Sequence, residues 1–430
     1  MRCLFAPDRH EGERPGICRQ PAAILKKHQY KRLPVIPRRR AQTYKGEWND
    51  LRVWMSRETG GEDGAIEAWQ RSVADFIHMP HTAAISSGRR GMAAIFEYLR
   101  LGAGDEVIIP AYTLGELIPL IRSLGAAVVP ADIDPATLNV TAETVRRRIT
   151  PKTKAVLALH AFGAPCPIAS ILSLASQSGI AVIEDCAHSL GAGIGGGMTG
   201  TFGFASFFSF EPTKPANTFG GGMVATRDRG LADFVKSRTL DDRSDLAPFK
   251  KRMRAVRMER FMFASGLAFP ALFLLATPQT KAVMNRLYRS VQHAFPGAVG
   301  YSAIQARLGL KKIQDLPDRI ESRHQRVLQL QSLLRPEIRI QRLEKGATST
   351  WYFLVAVLPV AAAPVRKRLL MKGIDAGVGA EIADNCAQLL GWTDCPNVDQ
   401  VFPHAIALPI FDGITESQME RVAHALNRSF

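Results

Sequence analysis

The hydrophobic pattern changes along the chain. Up to about residue 62, apolar and polar positions follow no steady period and prolines are frequent, so this stretch reads as an arm with little core of its own. From Gly64, Ile66, Trp69, Val73 and Phe76 recur at helical spacing. Short apolar runs then alternate with helical patterns. The runs Thr82 to Ile85, Glu106 to Ile109, Ala127 to Pro130, Ala155 to Leu159, Ile180 to Ile183, Ala205 to Phe208 and Gly222 to Thr226 predict strands. Helices are predicted near 90–100, 114–124, 141–148 and 167–178. This alternation predicts an α/β fold: a mostly parallel central sheet with helices on both faces and ligands at the carboxyl ends of the strands.

Residues 241–300 break the alternation. A basic cluster (Lys250, Lys251, Arg252, Arg254, Arg257, Arg260) runs into sixteen uncharged residues, 261–276, interrupted by Pro270. That is short of the ~20 residues a spanning helix needs. Two readings stay open: a segment lying in a membrane interface beside its positive charges, or a buried helix at a subunit contact. From about 301 a helical pattern resumes. Strands near 337–340 and 352–358, a helix at 363–372 and a terminal helix from Glu416 predict a smaller C-terminal α+β domain. The expected division is a basic arm at 1–63, a large cofactor domain at 64–240, the insertion at 241–300 and the small domain at 301–430.

Composition narrows the function. A hydrophobic fraction of 46% suits a globular protein with a substantial core. The six cysteines form no C-x-x-C pair, which argues against a zinc ribbon or disulfide scaffold and fits a reducing, cytoplasmic compartment. No apolar N-terminal stretch resembles a secretory signal. The net charge of +16 concentrates in the arm, which includes Arg38-Arg39-Arg40, and in the 250–260 cluster. Such patches attract anionic partners. No reading motif accompanies them, so nucleic acid is not the expected partner. No metal-binding motif is present.

The candidate chemistry lies at strand ends. Lys214 follows an apolar strand, Ser209 and a short turn, and Gly220-Gly221-Gly222 comes soon after. An amine so placed can form a Schiff base with an aldehyde, although an isolated lysine is more often a surface charge. Asp185 ends another apolar strand, where a carboxylate can pair with a protonated pyridine nitrogen or simply cap a helix. His188 lies about one helical turn on. Ser86-Ser87-Gly88-Arg89-Arg90-Gly91 joins a strand to a helix whose N-terminus offers N–H groups to a phosphate, and Ser209 could add a hydroxyl. The glycine runs match neither the Walker nor the Rossmann fingerprint. Together these residues could serve one pyridoxal 5'-phosphate (PLP).

In order and spacing the motifs resemble the DegT/StrS family of PLP-dependent sugar aminotransferases. The matching pieces are Ser87-Gly88, residues 104–113, Asp132-Ile133-Asp134-Pro135, His160-Ala161-Phe162-Gly163, residues 184–192, Gly200-Thr201-Phe202-Gly203, residues 209–214 and Leu408-Pro409-Ile410-Phe411. The resemblance covers about 64–240 well and 300–430 more loosely. It implies a fold-type I PLP-dependent transferase that acts as a homodimer. It also implies passage of an amino group, typically from glutamate, to a nucleotide-linked keto-sugar; a membrane role for the insertion would make a lipid-linked acceptor the expectation instead. Lys214 would be the catalytic lysine and Asp185 the partner of the pyridine nitrogen. His188 would stand near the 3′-oxygen, where relatives usually have Gln. Gly88, Ser209 and the backbone at Arg89 and Arg90 would hold the phosphate. Lys214 argues against the dehydratase branch, which has His there. Departures are Arg89 for Thr, Leu114 for a ring-stacking aromatic, and Phe219-Gly220-Gly221-Gly222 for the usual G-E-G-G, so that an acidic residue is missing. The departures, the arm and the insertion also motivate an alternative: a non-catalytic, membrane-associated binding or regulatory protein on the same fold, at the inner face of a membrane.

Overall fold

A computed structural model describes residues 35–56, 64–240, 246–268, 270, 272 and 300–430, which belong to one compact unit. The first strands are β1 (His81–Ile85), β2 (Glu106–Pro110), β3 (Tyr112–Thr113), β4 (Ala127–Ala131) and β5 (Thr153–Leu159). They are followed by β6 (Ala181–Asp185), β7 (Gly193–Ile194), β8 (Gly197–Met198), β9 (Ala205–Ser209) and β10 (Gly222–Thr226). The last five are β11 (Arg339–Ile340), β12 (Leu354–Val357), β13 (Gly377–Val378), β14 (Asp384–Asn385) and β15 (Ala405–Leu408).

A seven-stranded sheet runs in the order β1-β10-β9-β6-β5-β2-β4. Strands β9, β6, β5, β2 and β4 are parallel, and β10 is antiparallel to both its neighbours. Alternate residues of each strand serve opposite faces. Val107, Ile109, Leu157 and Ile183 enter one core, while Ile108, Val156, Ala158 and Val182 enter another. That double burial explains why these strands are near-continuous apolar runs. On one face the helix Gly88–Tyr98 contributes Met92, Ala94, Ile95 and Phe96.

The smaller sheet, β11-β12-β15-β13, is antiparallel. Its Leu354 and Ala356 face a core with Val365, Leu369, Val422 and Leu426 from the helices Ala362–Met371 and Glu416–Asn427. Val355, Val357, Ala405 and Ala407 on the other face share a core with Ala111, Tyr112, Ile133 and Leu159 of the large-sheet region. A bridge of β14 to β3 adds a second tie. The long apolar runs are thus placed as the periodicity predicts. The two-residue strands β3, β7, β8, β13 and β14 are too short to leave a period.

The N-terminal stretch differs from the expectation of an arm with little core. Ile36 is fully buried in the small-sheet core, and its amide donates to the Gly373 carbonyl at 2.9 Å. Ala41 and Leu51 pack with Phe219, Phe249 and Leu308. Isolated apolar residues anchor it, so no periodic signal exists to find.

Of the basic and apolar insertion, the helix Ala247–Ser265 is described. It buries Phe249, Met253 and Val256 and leaves Met258, Phe261 and, just beyond its end, Leu267 more than half exposed. Most of the rest of 241–300 lies outside the described residues. No helix among the described residues is long and apolar enough to cross a membrane.

Candidate active site

The register of the central sheet gathers the candidate residues at one edge. Gly222 of β10 lies opposite both Ile85 of β1 and Ser209 of β9. A Cβ on Gly222 would sit 2.5 Å from the Gly88 amide nitrogen, and one on Gly88 would sit 3.1 Å from the Phe208 carbonyl oxygen. Glycine at both positions lets the N-terminus of the helix Gly88–Tyr98 press onto the carboxyl end of β9 beside Ser209. This cradle suits an anion held by backbone and hydroxyl. Ser87 caps the helix, its Oγ accepting the Arg90 N–H at 3.3 Å. The Arg90 amide is therefore committed locally. The Arg89 guanidinium pairs with Glu116.

Lys214 lies in the turn after β9, its amide donating to the Glu211 carbonyl at 2.9 Å. The following loop is fixed from below. The Phe210 carbonyl accepts the Thr218 and Gly220 amides at 2.9 and 3.0 Å. Asn217 donates to the Gln42 carbonyl at 2.7 Å, and Lys312 Nζ reaches Asn217 Oδ1 at 3.3 Å and Glu47 Oε1 at 3.1 Å. Lys312 and Glu47 are fully buried. Phe219 packs against Trp48 and Phe249. The family pattern G-E-G-G reads Phe219-Gly220-Gly221-Gly222 here, so Phe219 stands in place of its first glycine and is apolar core in this chain.

Asp185, buried at the end of β6, accepts the Ala187 N–H on Oδ1 at 2.9 Å. Burial raises its pKa, opposed by that N–H and by the charge of Lys214. Neighbouring Glu184 is an anchor. Its Oε1 accepts the Phe202 and Gly203 amides at 2.7 and 2.8 Å, and its Oε2 accepts the Gly200 amide at 2.8 Å and His160 Nε2 at 3.0 Å. His160 Nδ1 accepts the Cys166 amide, so its proton sits on Nε2. His160, Glu184 and Cys186 lie close enough to ligate a metal, but the carboxylate's acceptor sites are all taken. The trio fixes the end of β6 and so aims Asp185.

His188 is buried, and its Nδ1 has no hydrogen-bond partner among the described residues. Burial, then the charges of Lys214 and Arg39, push its pKa well below the usual value, so the ring is neutral. It stacks on Tyr352, with centroids 4.2 Å apart and planes at 13°, and more distantly on Phe162. The other face-on contact of Tyr352 is Lys214, whose Nζ lies 4.3 Å from the ring centroid. The Tyr352 hydroxyl meets Thr213 Oγ1 at 3.1 Å and Arg39 Nη1 at 3.4 Å. Burial would raise this phenol's pKa; Lys214, Arg39 and the Thr213 hydrogen bond outweigh it and bring it to about 8.

The structure thus brings Lys214, Asp185 and His188 into one electrostatic neighbourhood and sets Gly88 and Ser209 against each other at the sheet edge. Leu114, 41% exposed on the loop after β3, offers an open apolar surface, held by the Gly115 amide donating to Asp384 at 2.8 Å. Tyr352, Arg39, Thr213 and Phe162 join this neighbourhood without a signal in the sequence: Tyr352 reads as part of an apolar strand, and Arg39 as one charge among many. Phe162 has φ of 58°, and its carbonyl accepts the Tyr352 amide at 3.0 Å, which ties the two aromatic residues together.

The profile of the DegT/DnrJ/EryC1/StrS aminotransferase family matches residues 51–262 and 288–427. A GDP-perosamine synthase from Vibrio cholerae is 36% identical over 39% of this chain and 46% of its own length. A UDP-N-acetyl-3-dehydro-alpha-D-glucosamine 3-aminotransferase from Acidithiobacillus ferrooxidans is 36% identical over 40% and 46%. The chain spans about half the length of the curated relatives it matches. Among solved structures, the aminotransferase TlmJ from Streptoalloteichus hindustanus superposes with a TM-score of 0.73 at 20% identity, covering 92% of this chain and 98% of that one. DesI, solved with its TDP-sugar product, gives 0.70 at 21% identity, covering 92% of each.

Proposed function

The chain belongs to the DegT/DnrJ/EryC1/StrS aminotransferase family, and from that premise we propose that it is a PLP-dependent aminotransferase that passes an amino group from glutamate to a keto-sugar carried on a nucleotide or lipid. The observation that carries this reading is the electrostatic coupling of Lys214 to Asp185 and His188, whose Nδ1 has no partner among the described residues, on the same sheet whose β9 ends in a glycine-lined cradle at Ser209. These residues fit the cofactor. A neutral buried imidazole with an unused nitrogen suits a ring oxygen, Asp185 suits a protonated ring nitrogen, and the Gly88–Ser209 cradle suits the phosphate.

When bound, PLP supplies an aldehyde for amine exchange and a ring that absorbs electrons from the substrate's α-carbon. Asp185 holds the ring-nitrogen proton, and its own charge is supported by the Ala187 N–H and Lys214. Lys214 Nζ is the base that accepts and returns the α-carbon proton. The Tyr352 ring lies beneath that nitrogen and holds it by a cation–π contact whenever it carries the proton, and Thr213 fixes the phenol. Buried Phe162, Tyr352 and Phe353 pack around His188 and shield that side from water. Leu114 would offer the cofactor ring an aliphatic surface.

Two coarser features complete the proposal. The chain works as a homodimer. The helix Ala247–Ser265, with Met258 and Phe261 exposed beside Lys251, Arg254 and Arg257, rests on an anionic membrane surface. The activity is tested by titrating purified, PLP-loaded protein with L-glutamate and following the visible spectrum. A shift to the pyridoxamine form is expected; a protein that takes up no cofactor would instead be a binder on this fold.

A further inference from the structure

The Arg38-Arg39-Arg40 run divides its labour. Arg38 is bound to acidic groups, with its Nη1 2.8 Å from Glu381 Oε2 and its Nε 3.6 Å from Asp375 Oδ2. Arg40 lies over the Phe411 ring at 5.0 Å. Arg39 is different. Half-buried, it touches the Tyr352 hydroxyl and lies over the Phe353 ring at 5.6 Å. Among the described residues no carboxylate stands within ion-pair distance of it, although Glu259 is near enough to feel its charge. Its field reaches both Tyr352 and His188. A guanidinium carried into the site by an aromatic shelf, with donors to spare, is built to take an anion.

We propose that Arg39 is a specificity-determining residue that binds a carboxylate of the amino donor. This rests on the aminotransferase reading above. The donor's amine must replace that of Lys214, so the donor's α-carbon lies one bond from that point and its carboxylate carbon two. Tyr352 links the two: Lys214 Nζ lies 4.3 Å from its ring centroid and Arg39 Nη1 3.4 Å from its hydroxyl, so the two cations flank one phenol. An amino acid spans that gap. In a nucleotide-linked keto-sugar the pyranose ring separates the reacting carbonyl from the diphosphate, which places phosphate farther out. The guanidinium plane gives a carboxylate two parallel hydrogen bonds, which a lysine cannot reproduce.

The test uses PLP-loaded protein, with the spectral half-reaction followed against L-glutamate concentration and with UDP as a phosphate-bearing competitor. R39A is expected to raise the half-saturating glutamate concentration by about tenfold to a hundredfold, the worth of a charge-assisted contact. R39K should fall between, with cofactor stoichiometry and UDP inhibition at wild-type values in both. Unchanged glutamate saturation in R39A overturns the proposal, as does weakened UDP inhibition with glutamate unaffected, which would assign Arg39 to the acceptor's phosphate. If thermal melting shows R39A unfolded, R39K decides alone: glutamate saturation equal to wild type overturns the proposal. A wild type that never responds to glutamate removes the aminotransferase reading itself, and this proposal with it. A responsive wild type with an unchanged variant removes only the proposal.

Discussion

Tyr352 shows how far neighbours can move one side chain. Burial favours the neutral phenol, yet Lys214 and Arg39 bring its pKa to about 8. The unfolded value is about 10. Folding therefore favours the phenolate, and this contribution is complete above pH 10 and lost as pH falls through 8. In the cofactor-free protein, ultraviolet titration should reveal one tyrosinate with a midpoint near 8 that Tyr352→Phe removes. A wild-type titration with no component below pH 9 would contradict the proposed charge environment. The aromatic Trp351-Tyr352-Phe353 is visible in the sequence, but only the fold brings it against His188, which lies far upstream in the chain.

At the scale of elements, the loop carrying Lys214 is held by a buried polar hub: Lys312 from the helix Ala303–Ile313, Glu47 from the helix Glu47–Ser56, and Asn217. Burial lowers the Lys312 pKa to about 8 against the pull of Glu47. Removing one member strands the other. Lys312→Met should cost about 3–5 kcal/mol, and Glu47→Leu/Lys312→Met together should cost less than that single change. Denaturant unfolding of the wild type and these two variants measures both, and a double variant no more stable than Lys312→Met would contradict the hub. The seven long strands, the strand-end positions of Asp185 and Ser209, and Lys214 in the turn beyond were legible because burial on both sheet faces writes apolar runs into the chain. The hub was not, because Glu47 and Lys312 lie far apart in sequence and each reads as an ordinary surface charge. Leu114 and Phe219 were legible only as departures. The structure gives Phe219 its physical reason, an aromatic core with Trp48 and Phe249.

At the scale of the molecule, the helix Ala247–Ser265 joins both features that set this chain apart, its charge and its apolar insertion. Its buried side packs on Leu51, Phe219 and Leu308, while Met258 and Phe261 lie open among cations. If that face meets a membrane, the protein should pellet with phosphatidylserine-containing vesicles at low salt and be released as salt rises. Phe261→Glu should abolish pelleting and leave thermal stability nearly unchanged, because the side chain is exposed. Absence of pelleting at low salt would remove the membrane reading and leave a subunit contact as the use of that face; light scattering would then show a dimer that Phe261→Glu dissociates.

The whole account turns on Lys214 carrying the cofactor and yielding it to an amino donor. Borohydride trapping followed by peptide mass mapping tests this in one measurement. The PLP-loaded protein should carry a phosphopyridoxyl group on Lys214, and prior treatment with L-glutamate should remove that label. A label on another lysine, or one on Lys214 that glutamate leaves untouched, would contradict it.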